Sequence, residues 1–79
     1  MPKVLLSEED RASHRLATWV RGEKKLQDIN DTDLANGRGV SQPAMSRKIR
    51  LESFDFKDFV YLARTLGADA ETIRYILGL

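Results

Sequence analysis

Between Arg38 and Arg50 the chain carries four basic side chains, Arg38, Arg47, Lys48 and Arg50, and no acidic one, although its net charge is only +1. Among them stand an amide, Gln42, and two hydroxyls, Ser41 and Ser46. These side-chain types suit double-stranded DNA. A carboxamide can pair with N6 and N7 of adenine through two hydrogen bonds, and a guanidinium does the same with O6 and N7 of guanine. Cations and hydroxyls hold the phosphates, which sets register without reading sequence. The plainer alternative for this stretch is a solvated basic face without a partner.

Other chemistries lack the residues they need. His14 is the only histidine, it lies between Ser13 and Arg15 on the outer part of a predicted helix, and the chain has no cysteine. Neither a metal site nor a nucleophile with its base is expected, and no disulfide can form. The carboxylates fall at helix caps and on polar faces, not as an acid/base pair. Gly37 and Gly39 flank Arg38, but no strand-forming segment precedes them and no Gly-Lys-Ser/Thr follows, as a phosphate-cradling loop requires. The expectation is therefore a binding protein, not an enzyme, with no cofactor.

The elements that must position these residues can be read from caps and periodicity. Ser7, followed by Glu8, Glu9 and Asp10, is an N-cap with carboxylates at the positive end of a helix dipole. Ala12, Leu16, Trp19 and Val20 form the buried stripe of that helix, with Arg11, Arg15 and Arg21 off it and Lys24-Lys25 near its C-terminal end. Gly22 weakens its last turn. Asn30 caps a short second helix with Leu34 and Ala35 inward and Ile29 as a hydrophobic staple. Gly37 or Gly39 supplies the positive φ that ends it. Ser41 caps a third helix over about 42–50, with Pro43 in its first turn, where a missing N–H costs nothing. Val40, Met45 and Ile49 anchor it inward, leaving Gln42, Pro43, Ser46, Arg47 and Arg50 outward. Asp55 caps a fourth helix of about 56–66, whose expected apolar stripe is Phe56, Phe59, Val60, Ala63 and Leu66. Asp69 caps a fifth, with Ile73, Ile76 and Leu77 on one face.

Composition bounds the rest. With 42% hydrophobic and 32% charged residues, the 79 residues suit a single folded domain over 1–79, neither disordered nor membrane-embedded. No apolar run approaches the length of a signal-peptide core or a membrane span, and a cytoplasmic location is expected. A chain this short buries only about 60–65% of its unfolded surface, so its stability should be a few kcal/mol, with little room for an effector pocket.

The run Ile29-Asn30-x-x-x-Leu34-Ala35-x-x-x-Gly39-Val40-Ser41-Gln42-Pro43-Ala44-Met45-Ser46-Arg47 resembles the helix-turn-helix of the phage repressor/Cro and XRE family of transcription regulators. The strong resemblance covers 29–50, and a weaker one continues through "FDFKDFVYLARTLGA" at 54–68. In that family the residue matched by Ala35 lets the two helices approach, the one matched by Gly39 makes the turn, and the one matched by Val40 plugs the gap beneath it. Three departures stand out. Arg38 occupies a position that is usually apolar, and Gly37 one where a helix former is common, which implies an early helix end and a wider turn. Asp31 replaces an amide that often touches phosphate. A carboxylate donates no hydrogen bond, so Asp31 and Asp33 should repel phosphate.

The resemblance implies an all-α, five-helix repressor/Cro-like domain with a helix-turn-helix at about 30–50. Its third helix would enter the major groove with the N-terminal residues leading. Gln42 and Arg47 would read base edges, with Pro43 and Ala44 against thymine methyls. Arg38, Ser41, Ser46, Lys48 and Arg50 would hold the DNA backbone. A homodimer on an inverted-repeat operator, paired through Ile73, Ile76 and Leu77 and extended by Val4 to Leu6, would supply the second half-site, in a bacterial or phage-infected cell. The competing expectation is a protein-interaction module on the same fold, such as a small phage-encoded inhibitor or an antitoxin-like subunit.

Overall fold

Among the described residues, five side chains with a free acceptor oxygen start five helices. In the computed structural model, which describes residues 7–79, α1 spans Glu8–Gln27, α2 Asp31–Arg38, α3 Gln42–Leu51, α4 Phe56–Leu66 and α5 Ala70–Leu77. The caps are the expected Ser7, Asn30, Ser41, Asp55 and Asp69, each accepting the backbone N–H three residues on. At Ser7, Asn30 and Asp55 the third residue is an aspartate that returns the bond to the cap's own N–H, closing a capping box. Replacing a serine, asparagine or aspartate N-cap by alanine typically costs about 1 kcal/mol, so capping is a large share of the stability of so small a domain. No strand occurs among the described residues, and none of their helices is long and apolar enough to cross a membrane.

The long α1 is the central support, packing against α3, α4 and α5, while α2 packs on α3 and α4. The core draws on all five helices: Leu16 and Val20, Leu34 and Ala35, Met45 and Ile49, Leu62 and Leu66, and Ile76. Helix ends are tied across this core. The last carbonyls of a helix have no partner within it, and here side chains from other helices donate to a carbonyl in the last turn of α3, α4 and α5 and to one at the middle of α2. Tyr61 donates to Leu34 O at 2.8 Å, Arg21 to Ile49 O at 3.0 Å, Gln27 to Leu66 O at 2.9 Å and Arg15 to Ile76 O at 3.0 Å.

The second helix does not end early. It runs through Arg38, and Gly39 then takes the left-handed conformation, φ 78°, so that the turn to α3 is Gly39, Val40 and Ser41. Gly37 remains helical for a packing reason. A Cβ there would overlap the Tyr61 hydroxyl, which reaches over it to Leu34 O.

Two other expectations need correction. On α4 the fully buried residues are Asp58, Leu62 and Leu66, and Phe56 is 78% exposed. The buried side of α4 is centred on Leu62, which the expected stripe omitted. At about 100° per residue, Phe56 then points some 120° away from Leu62. On α5, Ile76 is not a surface residue: it is 1% exposed and belongs to the core, on the side of α5 that meets α1. Ile73 is half-buried and Leu77 40% exposed, so the face expected to pair two chains mostly closes the core of one. Val4 to Leu6 lie outside the described residues.

Gly37→Ala should destabilise the domain even though alanine is the better helix former by about 1 kcal/mol. In a Tyr61→Phe background, with the hydroxyl gone, the same substitution should cost less or become stabilising. Urea midpoints of the four proteins of this cycle measure the coupling. Additive effects would show that the close approach of Tyr61 does not govern position 37.

Candidate nucleic-acid interface

Helix geometry sorts the residues of α3. Met45 and Ile49 are buried and fix the inward side. With about 100° per residue, Ser46, Arg50 and Arg47 follow Gln42 round one flank at roughly 40°, 80° and 140°, whereas Lys48 lies on the opposite flank. Gln42, Pro43, Arg47 and Arg50 are exposed, while Ala44, Ser46 and Lys48 are half-buried. Among the described residues Arg47 and Arg50 make no ion pair. They are the free cations of this helix.

Arg38 and Lys48, expected to bind phosphate, are instead committed elsewhere. Asp58 is 1% exposed, and a buried carboxylate stays charged only with partners. Arg38 Nε donates to its Oδ1 at 3.0 Å and Lys48 Nζ to its Oδ2 at 2.9 Å. The Asp55 N–H adds a third bond at 3.1 Å. Burial pushes the Asp58 carboxyl up, but the bonds from Lys48, Asp55 and Arg38 and the charge of Lys48 outweigh it and hold the group below the ordinary aspartate value. The unusual Arg38 is thus explained by a residue twenty positions on. Asp55 and Asp58 are legible in the sequence as a cap and its third residue; that Asp58 is also buried has no local signal.

Asp31 does not present a bare charge. It accepts a hydrogen bond from Lys24, and its Oδ2 accepts the Ser46 hydroxyl at 2.5 Å. Burial raises its pKa, and the bonds from Lys24 and Ser46 with the Lys24 charge lower it further than burial raises it. Ser46, expected on a phosphate, is engaged in the protein, and it also accepts from Gln42 Nε2 at 2.5 Å. Beside this network an open cleft of about 940 Å³ runs between the C-terminal part of α1 and the first turns of α2 and α3, lined by Arg21, Lys24, Lys25, Asn30, Thr32 and Gln42 among others. The sequence places the α1 cations only relative to their own helix, Arg21 off its buried stripe and Lys24-Lys25 near its C-terminal end. Their position opposite the N-terminus of α3 is a tertiary fact.

At its far end α3 is held to α1. Glu52, its C-cap, adopts the left-handed conformation at φ 54° and accepts from His14 Nδ1 at 2.8 Å, with Arg21 at 3.8 Å. His14, though exposed, therefore ties α1 to the end of α3. The chain matches no protein-family model, and no curated protein or solved structure is significantly similar to it.

The Asp58 cluster sets an acid limit on the fold. Because its folded pKa is depressed, its contribution to stability is complete above the unfolded value of about 3.9 and is lost as pH falls through the folded value. Urea midpoints taken from pH 7 to pH 2.5 should fall steeply below about pH 4. Asp58→Asn should be less stable at pH 7, by about 3 kcal/mol if the broken pair behaves like other buried ones, and should show a shallower acid dependence. Equal slopes for the two proteins would remove Asp58 from this role.

Proposed function

We propose that this chain is a sequence-specific double-stranded DNA-binding regulator of the repressor/Cro and XRE helix-turn-helix type, without enzymatic activity, acting in the cytoplasm of a bacterial or phage-infected cell. The observation that carries the reading is the flank of α3 on which Gln42, Pro43, Arg47 and Arg50 stand exposed and unpaired with any acid, directly after a three-residue turn from α2. In this reading α3 enters the major groove N-terminus first. Gln42 pairs with adenine, Arg47 with guanine, and Pro43 lies against a thymine methyl. Arg50 and Ser41 hold phosphates, joined by Lys25 from across the cleft, because Arg38 and Lys48 are held by Asp58. One such helix reads only a few base pairs, so two chains on an inverted repeat, half-sites about 10 base pairs apart, are needed for operator affinity. Leu77 and Phe56 are among the exposed apolar side chains available for pairing, with Leu26, Leu51 and Leu79 exposed as well.

One observation favours the interaction-module reading. An apolar cleft of about 330 Å³ between α1, α4 and α5 is lined by Ala12, Leu16, Phe54, Phe56, Phe59 and Leu77 among others, and a protein segment would fit there as well as a second copy.

Mobility-shift titrations on duplex DNA at two salt concentrations separate these readings. For the regulator, affinity falls steeply with salt. Gln42→Ala should lose about 1–3 kcal/mol and relax preference at one base pair. Arg50→Ala should weaken binding equally across sequences and reduce the salt slope by about one. Arg38→Ala should lower stability with no change of base preference. Absence of any salt-dependent binding would favour the protein partner.

A further inference from the structure

The hydrogen bonds around Gln42 decide which way its amide faces. Lys24 donates to Asp31 Oδ1, Ser46 Oγ donates to Asp31 Oδ2 at 2.5 Å, and Gln42 Nε2 lies 2.5 Å from Ser46 Oγ. Each direction in this chain is forced. An ammonium only donates, and an ionised carboxylate only accepts. A serine hydroxyl has one hydrogen, and here Asp31 takes it. What remains on Ser46 Oγ is lone pairs, so Gln42 must turn its NH₂ toward Ser46 and its carbonyl away. One amide hydrogen is used in this bond. The other hydrogen and the carbonyl oxygen are left free, and these are the donor and acceptor that adenine N7 and N6 require.

We propose that Ser46, oriented by Asp31 and Lys24, is a positioning residue that holds the Gln42 amide in the one orientation able to read adenine. The proposal rests on the DNA-reading function above. It gives the acidic Asp31 a purpose at a surface that meets phosphates: with its charge offset by Lys24, it makes Ser46 an acceptor. It also moves Ser46 from the phosphate-contacting group to the support of a base reader. Without the relay, the long Gln42 side chain keeps its rotamer freedom until DNA binds, and ordering such a side chain at an interface costs roughly two- to tenfold in affinity.

Two readouts on the intact chain test this. In the free protein, ¹⁵N relaxation of the Gln42 side-chain amide should show restricted motion. Ser46→Ala should release it with unchanged circular dichroism, since alanine is a good helix former, and Ser46→Thr, which keeps the hydroxyl, should retain it. On DNA, Ser46→Ala should lower preference by about two- to tenfold at the same base pair that Gln42→Ala relaxes, and the double variant should lose no more than Gln42→Ala alone. The proposal is overturned if the wild-type amide is as mobile as in Ser46→Ala. Full preference retained by Ser46→Ala, or an equal loss from Ser46→Ala in the Gln42→Ala background, would overturn it too; the last result would mean that Ser46 makes its own contact. Should Gln42→Ala change no base preference, the DNA-reading function itself fails at this residue and the positioning role fails with it. The relaxation data then still show whether the relay holds the amide.

Discussion

A carboxylate with almost no solvent exposure cannot remain ionised alone, and Asp58 meets that constraint by drawing Arg38 from the end of α2 and Lys48 from the last turn of α3 onto α4. Three helices are thereby tied at one point. The cluster also divides the basic stretch 38–50 into two functional sets. Two cations stabilise the fold, and two, Arg47 and Arg50, are left to the surface. Removing a single partner would strand a buried charge, which is costlier than never having built the cluster.

The same economy shows at the opposite end of α3. Its N-terminal turn is coupled to α2 and α1 through Gln42, Ser46, Asp31 and Lys24, and its C-terminal end to α1 through Arg21, Glu52 and His14. Only Met45 and Ile49 of this helix are fully buried, so apolar packing alone gives it few anchors. Polar ties at both ends fix its orientation, and a helix that presents side chains to a partner needs that orientation more than it needs depth in the core.

Caps and periodicity made most of the fold legible. The five N-caps and the inward residues Leu34, Ala35, Met45 and Ile49 follow from local hydrogen-bonding chemistry and helical spacing, and the structure has them, whereas spacing left the turn open between Gly37 and Gly39 and the structure puts it at Gly39. What the sequence did not reveal is long-range. Gly37 reads as a helix breaker until Tyr61 is known to cross it, and Arg38 reads as a phosphate ligand until Asp58 is known to be buried. Ile76 resembles a surface stripe residue in isolation, because nothing local tells which side of a terminal helix meets α1. Of the candidate interface, the exposed flank Gln42, Pro43, Arg47 and Arg50 was readable, whereas the assignment of Ser46, Lys48 and Arg38 depended on partners 10 to 20 positions away.

In the function proposed, the exposed flank of α3 is a DNA-reading surface. Its most direct test is a map of amide chemical shifts in labelled protein titrated with duplex DNA at low salt. On this reading the largest changes fall on 41–50, with smaller ones at 25 and 30–32 across the cleft, and they shrink as salt is raised. Changes confined to the apolar cleft around Phe54, Phe56 and Leu77, or none at all, would contradict it.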